Sequence, residues 1–326
     1  MTGQLPWPDR YRSKGGGDVA NSREQLETVA GQLWTVTRLV AASTLDIPNM
    51  EFKLAAGELL HGLVRGAARI ERRSIELGGG GLTKRGQAQQ ARLAEALRTD
   101  PVPGRLTLIG RRWLPDVQSA LMELHAECDP LLDAPSADAV LTTHDQLARM
   151  LPWFAEASET VGGTAAPLES EGGGTIPVTR PQEGLVGPPA RPQYGARDDR
   201  FSTFADTRDY RSSSAWPSSL SEYESTLIEM AWINRDELDA VETFALVLFD
   251  LVEVADLEVL EHLARLAWDE SRHAAIGHEV LEAAGVPGFT LPSSLIGIEL
   301  RGAMDGWDAW AQITLFGELS IIRPMR

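Results

Sequence analysis

Cysteine is almost absent from this 326-residue chain, in which Cys128 stands alone. No intrachain disulfide, thiolate-held zinc site or Cys-x-x-Cys redox pair can therefore form, a usage that fits a reducing cytoplasm. Positive charge is in deficit: 30 Lys and Arg face 47 Asp and Glu, for a formal net charge of -17. That sign is wrong for binding nucleic acid or an anionic membrane by electrostatics, so neither is an expected partner. Long apolar runs are missing as well. The longest, Phe244 to Phe249, stops at Asp250, far short of the ~20 residues of a membrane span. The opening residues lack the basic stretch and apolar core of a signal peptide. What is present, 43% hydrophobic and 24% charged residues, is the balance of a soluble globular protein.

Alternating Val, Ile and Thr bounded by hairpin turns is not found, and helical periodicity dominates, so the expected fold class is all-α. Glycine and proline concentrate between about Gly162 and Arg200, with eight Gly and six Pro, a composition that sustains neither a helix nor a central strand. The expected organisation is two helical bundles joined by this linker: an N-terminal bundle over 20–160, a linker over 161–218 draped on the surface, and a C-terminal domain over 219–326. Helical segments are expected at Arg23–Ala42, Asn49–Leu77, Leu106–Leu132 and Ser136–Thr160. In the C-terminal half they are expected at Leu220–Val254, Leu257–Ala284 and Leu295–Ile322. Gly78 to Gly81 reads as a plain loop, since no Gly-Lys-Ser/Thr follows and no strand precedes it.

The sharpest chemical feature is Glu270-Ser-Arg-His273. Residues three apart on a helix share a face, and carboxylate-bridged metal pairs in four-helix bundles use this Glu-x-x-His spacing. Both residues continue the apolar stripe Leu260, Leu263, Ala267, Glu270, His273 or Ala274, Gly277 and Leu281, where a carboxylate is costly unless paired or metal-bound. A second such pair, Glu58-Leu-Leu-His61, follows the polar flank of its helix toward Arg65 and Arg72, and a solvated face is expected there. Glu237 precedes Val241, Phe244, Ala245 and Leu248 along one side of the preceding helix, and so points at the same core as Glu270. Glu242 lies five residues on, about 140° round a 3.6-residue helix, and is expected to be solvated or a neighbour of the ligands rather than a ligand. His262, His125, His144 and His278 read as ordinary core or surface histidines, and Trp268 as packing beside the site.

Asp236-Glu237-Leu-x-Ala-Val resembles the first-helix Asn-Glu-Leu-x-Ala-Ile of bacterioferritins, and the spacing from Glu237 to Glu270 matches that between the family's first two ligands. Trp268-Asp-Glu270-Ser-Arg-His273-Ala is similar to the Trp-Asp-Glu-Ala-Arg-His-Ala segment of bacterial tandem ferritin-like proteins. These often carry Arg-Asp-x-Arg-Phe ahead of the domain, and Arg197-Asp-Asp-Arg200-Phe201 stands in that place. The resemblance covers roughly 195–326. It implies a ferritin-like bundle in which Glu237 is a terminal ligand, Glu270 bridges two metals, His273 binds the first, and a third-helix glutamate binds the second. Glu318 is the best candidate for that glutamate, because Met304, Trp307, Ala311, Leu315, Glu318 and Ile322 share one face, whereas Glu299 and Asp308 lie off it.

Three C-terminal helices are one too few for such a bundle, which leaves an apolar groove and an expectation of self-association or of a helical partner protein. Glu51-Phe-Lys-Leu-Ala-Ala-Gly57 is similar to the opening of an N-terminal bundle helix in the same proteins, but the ligand positions downstream fall near Gly62 and Gly66, which implies a degenerate, structural bundle. Oxygen-rich Glu/His coordination without Cys suits iron or manganese, up to two ions if a partner supplies the remaining ligands. The implied function is a di-iron oxidase or oxygenase-type oxidoreductase using O₂ or peroxide on an unspecified substrate. The alternative is a non-catalytic helical scaffold or partner subunit with a vestigial metal site. Iron storage fits a two-domain chain poorly.

Overall fold

The computed structural model describes residues 13–14, 18–81, 102–162, 191–192, 195–204 and 220–317. As expected, these residues are mainly α-helical. Helix α1 (Val19–Asp46) opens on Asp18, whose carboxylate accepts from the Ala20 amide. Helix α2 (Met50–Glu76) opens on Asn49, which accepts from the Phe52 amide at 2.8 Å. Both caps satisfy amides left without intrahelical partners. The short turn between them makes α1 and α2 a helical hairpin. Short helix α3 (Val102–Leu108) continues through a π-helical turn (Ile109–Trp113) into α4 (Leu114–Glu127), followed by α5 (Ala134–Ala148) and α6 (Leu151–Gly162).

In the C-terminal half, α7 (Glu222–Asp236) starts with a capping box, the Ser221 hydroxyl accepting from the Glu224 amide and the Glu224 carboxylate from the Ser221 amide. The single helix expected over Leu220–Val254 breaks at Glu237, and α8 (Leu238–Leu251) follows. Helix α9 (Leu257–Ala283) ends at Gly285, whose φ of 75° is the left-handed conformation that glycine adopts without strain. The helix expected from Leu295 to Ile322 is also interrupted. Helix α10 (Ile296–Gly302) stops, Asp305 caps α11 (Gly306–Ala311), and a π turn (Gln312–Gly317) follows. Two-residue strands β1 (Thr203–Phe204) and β2 (Ser293–Ser294) pair in parallel.

The expected separation into two bundles is not what these helices do. The α1/α2 hairpin packs on the α8/α9 hairpin, α1 against α8 and α2 against α9, so that helices from both ends of the chain close one four-helix arrangement. One hydrophobic cluster takes in Leu33, Leu39, Leu60 and Leu63 together with Phe244, Leu248, Leu260 and Leu263. Each such fully buried side chain contributes ~1.5–3 kcal/mol relative to exposure. The groove expected beside α8 and α9 is thus covered by α1 and α2 of the same chain. Helix α8 is buried nearly all round, which is why its sequence is apolar on every face. Helices α10 and α11 close its remaining side, and α4 to α6 pack outside the first hairpin. Part of the linker is anything but draped over the surface: the side chain of Arg197 is 3% exposed.

Candidate functional site: a Glu-His pair and a buried ionic network

The expected metal ligands are placed as follows. Glu270 and His273 do lie together on α9, His273 Nδ1 standing 2.9 Å from Glu270 Oε2. Glu270 is largely buried, its side chain 12% exposed, but His273 leaves the buried stripe. Half of the His273 side chain is exposed. The buried line runs Ala267, Ser271, Ala274, Gly277 and Leu281, because α2 presses on α9 at that level. A Cβ built on Gly57 of α2 would stand 1.9 Å from Ser271 Oγ and 2.9 Å from the Ala267 carbonyl oxygen. From Ala267 the sequence offers two continuations, and close approach at Gly57 selects Ser271. Glu237 is half-buried at the break between α7 and α8 rather than inside the helix expected there. Glu318 lies outside the described residues. On the face expected to carry it inward, Trp307 and Leu315 are exposed, and Ala309 and Ile313 are buried instead. Glu299 and Asp308 are exposed. Among the described residues, no three His, Cys, Asp or Glu side chains are grouped to hold a metal ion. Glu237, Glu270 and His273 alone thus do not fit the implied two-metal centre.

The second Glu-x-x-His pair is split by burial. Glu58 is exposed as expected, but His61 is buried, because the polar flank of α2 faces α9 rather than solvent. Its ring stacks on Trp268 at 4.7 Å and 15°. The guanidinium groups of Arg265 and Arg272, bridged by Asp269, also lie over that indole. Burial, with Arg65 and Arg265 adding, pushes the His61 imidazole down to about 4. A depressed histidine stabilises the fold fully above its ordinary value near 6.5, and that contribution is lost as pH falls through about 4. Urea unfolding measured at intervals between these limits is expected to show a loss of roughly 1–3 kcal/mol. His61→Phe should flatten that slope; an unchanged slope would mean that His61 is accessible to protons in the folded chain.

The densest ionisable group lies elsewhere, where residues 195–204 cross the bundle. Glu242 of α8 is fully buried and ion-pairs with Lys53 of α2, equally buried, and with Arg197. Lys53 Nζ also donates to the carbonyl of Ala196 at 2.6 Å. Arg197 donates through Nη2 to the Ser294 carbonyl at 2.8 Å and through Nε to Ser293 Oγ at 3.2 Å, and stands 3.6 Å from Asp239. Asp239 accepts from the Ile298 amide at 2.8 Å and faces Arg301 at 3.7 Å. Asp236 accepts from the Ser294 amide and from Ser293 Oγ, each at 3.0 Å. Burial pushes the Lys53 ammonium down to about 8 against the pull of Glu242. It likewise pushes the Asp239 carboxyl up to about 6, with Arg197 and Arg301 opposing. Burial alone would lower the Arg197 guanidinium, but Glu242, Asp239 and Asp236 hold it above its ordinary value.

Glu242 is therefore not solvated but the centre of an ion-pair network. Its signal was in the sequence: it is the one charge in the run from Ala240 to Phe249, and a helix apolar on all sides has no polar face to put it on. Lys53, on the line Lys53, Gly57, Leu60, Val64 of α2, carries a similar signal. Arg197 was marked only by the resemblance of Arg197-Asp-Asp-Arg200-Phe201; no hydrophobic pattern in its Gly/Pro-rich segment shows that it is buried.

No family model, curated protein or solved structure matches this chain. Among the described residues, no helix is long and apolar enough to cross a membrane.

Proposed function

We propose that this chain is a non-catalytic helical scaffold or partner subunit, built on a four-helix arrangement whose central charges are neutralised by its own side chains. The observation that carries this reading is the pairing of buried Glu242 with Lys53 and Arg197. In a carboxylate-rich metal bundle, inward glutamates are compensated by the metal; here an ammonium and a guanidinium do that work. Elsewhere the core between the hairpins is mainly apolar, the buried carboxylate of Glu71 accepting from Trp34 Nε1 at 2.7 Å, and of the Glu270-His273 pair the imidazole is half-exposed.

A second reading, a ferritin-like metal protein, retains two supports. Glu270 and His273 keep ligand spacing and mutual contact. Two helical hairpins joined by one long connection are also the connectivity of ferritin-like bundles. On that reading iron or manganese, with Glu237 and Glu318 completing the set, would supply oxidative chemistry. The double substitution Glu270→Ala, His273→Ala separates the two. On the scaffold reading its thermal midpoint stays within a few degrees of wild type, with or without ferrous or manganous ion. A metal-dependent rise in the midpoint of wild type that the double variant lacks would favour the metal protein.

A further inference from the structure

Residues 195–204 lie in their groove as a bound peptide would. Their backbone is read by hydrogen bonds: the Ala196 amide donates to the Leu45 carbonyl at 2.7 Å, and the Ser293 amide donates to the Ser202 carbonyl at 2.8 Å. Thr203 and Phe204 then pair in register with Ser293 and Ser294, the strand-addition mode of peptide recognition. Two side chains fill pockets. Arg197 enters the slot closed by Glu242, Asp239 and the Ser294 carbonyl. Four residues on, Phe201 packs with Met50 and Leu238, its ring 4.7 Å from that of Phe289 and 4.6 Å from the Arg235 guanidinium. Gly195 lets the backbone pass over the buried carboxylate, since a Cβ there would stand 2.6 Å from Glu242 Oε2.

The walls of this groove have supports of their own. Asp239 is held by the Ile298 amide and Arg301, Asp236 by Ser293 and Ser294, and Arg235 donates to the carbonyls of Leu291 and Pro292. None of these contacts involves residues 195–204, so the slot is pre-organised for a guanidinium.

We propose that this groove is a recognition site for an extended peptide presenting arginine and, four residues later, phenylalanine, which residues 195–204 fill in cis and which the same segment of a second copy fills in trans. The occupant is a second copy, because its own segment carries the fitting arginine and phenylalanine. Fifteen residues separate Phe204 from Leu220, a length that spans up to ~50 Å when extended, enough to reach a neighbouring molecule. Exchange of an identical element between protomers needs no new contacts. This inference shares the Glu242–Arg197 pairing with the scaffold reading, but its test reads peptide uptake and not metal binding at Glu270 and His273, so the failure of one is distinguishable from the failure of the other.

The test uses the full chain with protease sites placed near Pro188 and Ser213, so that cleavage frees the segment without altering the groove. The probe is a fluorescent synthetic peptide with the sequence of residues 191–204. The expected result is saturable uptake of the peptide by the cleaved chain as the native fragment leaves. Uptake should be lost with a peptide in which Arg197→Ala and Phe201→Ala are made together. For the intact chain, brief partial unfolding at high concentration should yield a dimer by light scattering, reduced at least tenfold by the same two substitutions. Failure of the cleaved chain to take up the peptide, whether it keeps its own fragment or unfolds on losing it, would overturn the recognition site. Uptake without any dimer would overturn the second copy as its occupant.

Discussion

Replacing Glu242 by leucine is expected to destabilise the chain by about 3–5 kcal/mol, the range found when one partner of a buried ion pair is removed. The substitution leaves the Lys53 ammonium and the Arg197 guanidinium facing each other in a volume that solvent does not reach. Leucine adds apolar contact, but the uncompensated charges outweigh that gain. The double variant Glu242→Leu, Lys53→Met should recover much of the loss, because an apolar pair of similar volume replaces a buried ion pair at little cost. Arg197 then keeps Asp239 as partner. Chemical denaturation followed by circular dichroism measures both variants, and a single-variant loss below about 1 kcal/mol would mean that the pair is solvated.

The pH dependence of the same network has a definite sign. Lys53, depressed to about 8, contributes stability fully above 10.5 and loses it as pH falls through about 8. Asp239, raised to about 6, contributes fully below 3.8 and loses it as pH rises through about 6. Between about 6 and 8 Lys53 and Asp239 are both charged, and their burial is most costly there.

Gly277→Leu is the second substitution with a large expected effect, about 3 kcal/mol or more of destabilisation from overpacking. A Cβ at Gly277 would stand 2.2 Å from the Arg235 amide nitrogen and 2.5 Å from the Ala231 carbonyl oxygen. Those are backbone atoms of α7, so no rotamer change relieves the clash and the two helices must separate. Separation opens the small core of Ile228, Ala231, Trp232 and Leu281 and breaks the Trp232 Nε1 bond to the Pro292 carbonyl at 2.8 Å. Gly277→Ala gains ~1 kcal/mol of helix propensity but meets the same two atoms, so a net loss is expected for it as well. Near-wild-type stability for alanine would show that α7 has room to shift along α9.

Helical class and the approximate spans of the long helices were readable from periodicity. The joining of both chain ends into one core was not, since each amphipathic stripe states that a helix has a partner and not which one. α8 looked short of a neighbour only because α1 and α2 were assigned to a separate body. The exposure of His273 turned on a fork after Ala267 that periodicity leaves open and that Gly57, more than 200 residues earlier, resolves. The Glu242 network draws its members from α2, the linker, α8 and the segment before α10. Of these, hydrophobic pattern exposes only the misplaced charges Lys53 and Glu242; the motif that contains Arg197 does not tell that the arginine is buried against them.

The measurement that bears most directly on the account is the metal content of the full chain after anaerobic reconstitution with ferrous ion and removal of excess. If the buried carboxylate is neutralised by Lys53 and Arg197, iron is expected well below stoichiometric amounts and unchanged by the Glu270→Ala, His273→Ala substitution. About one or two tightly held ions per chain, as in a carboxylate-bridged bundle, lost on that substitution, would contradict it.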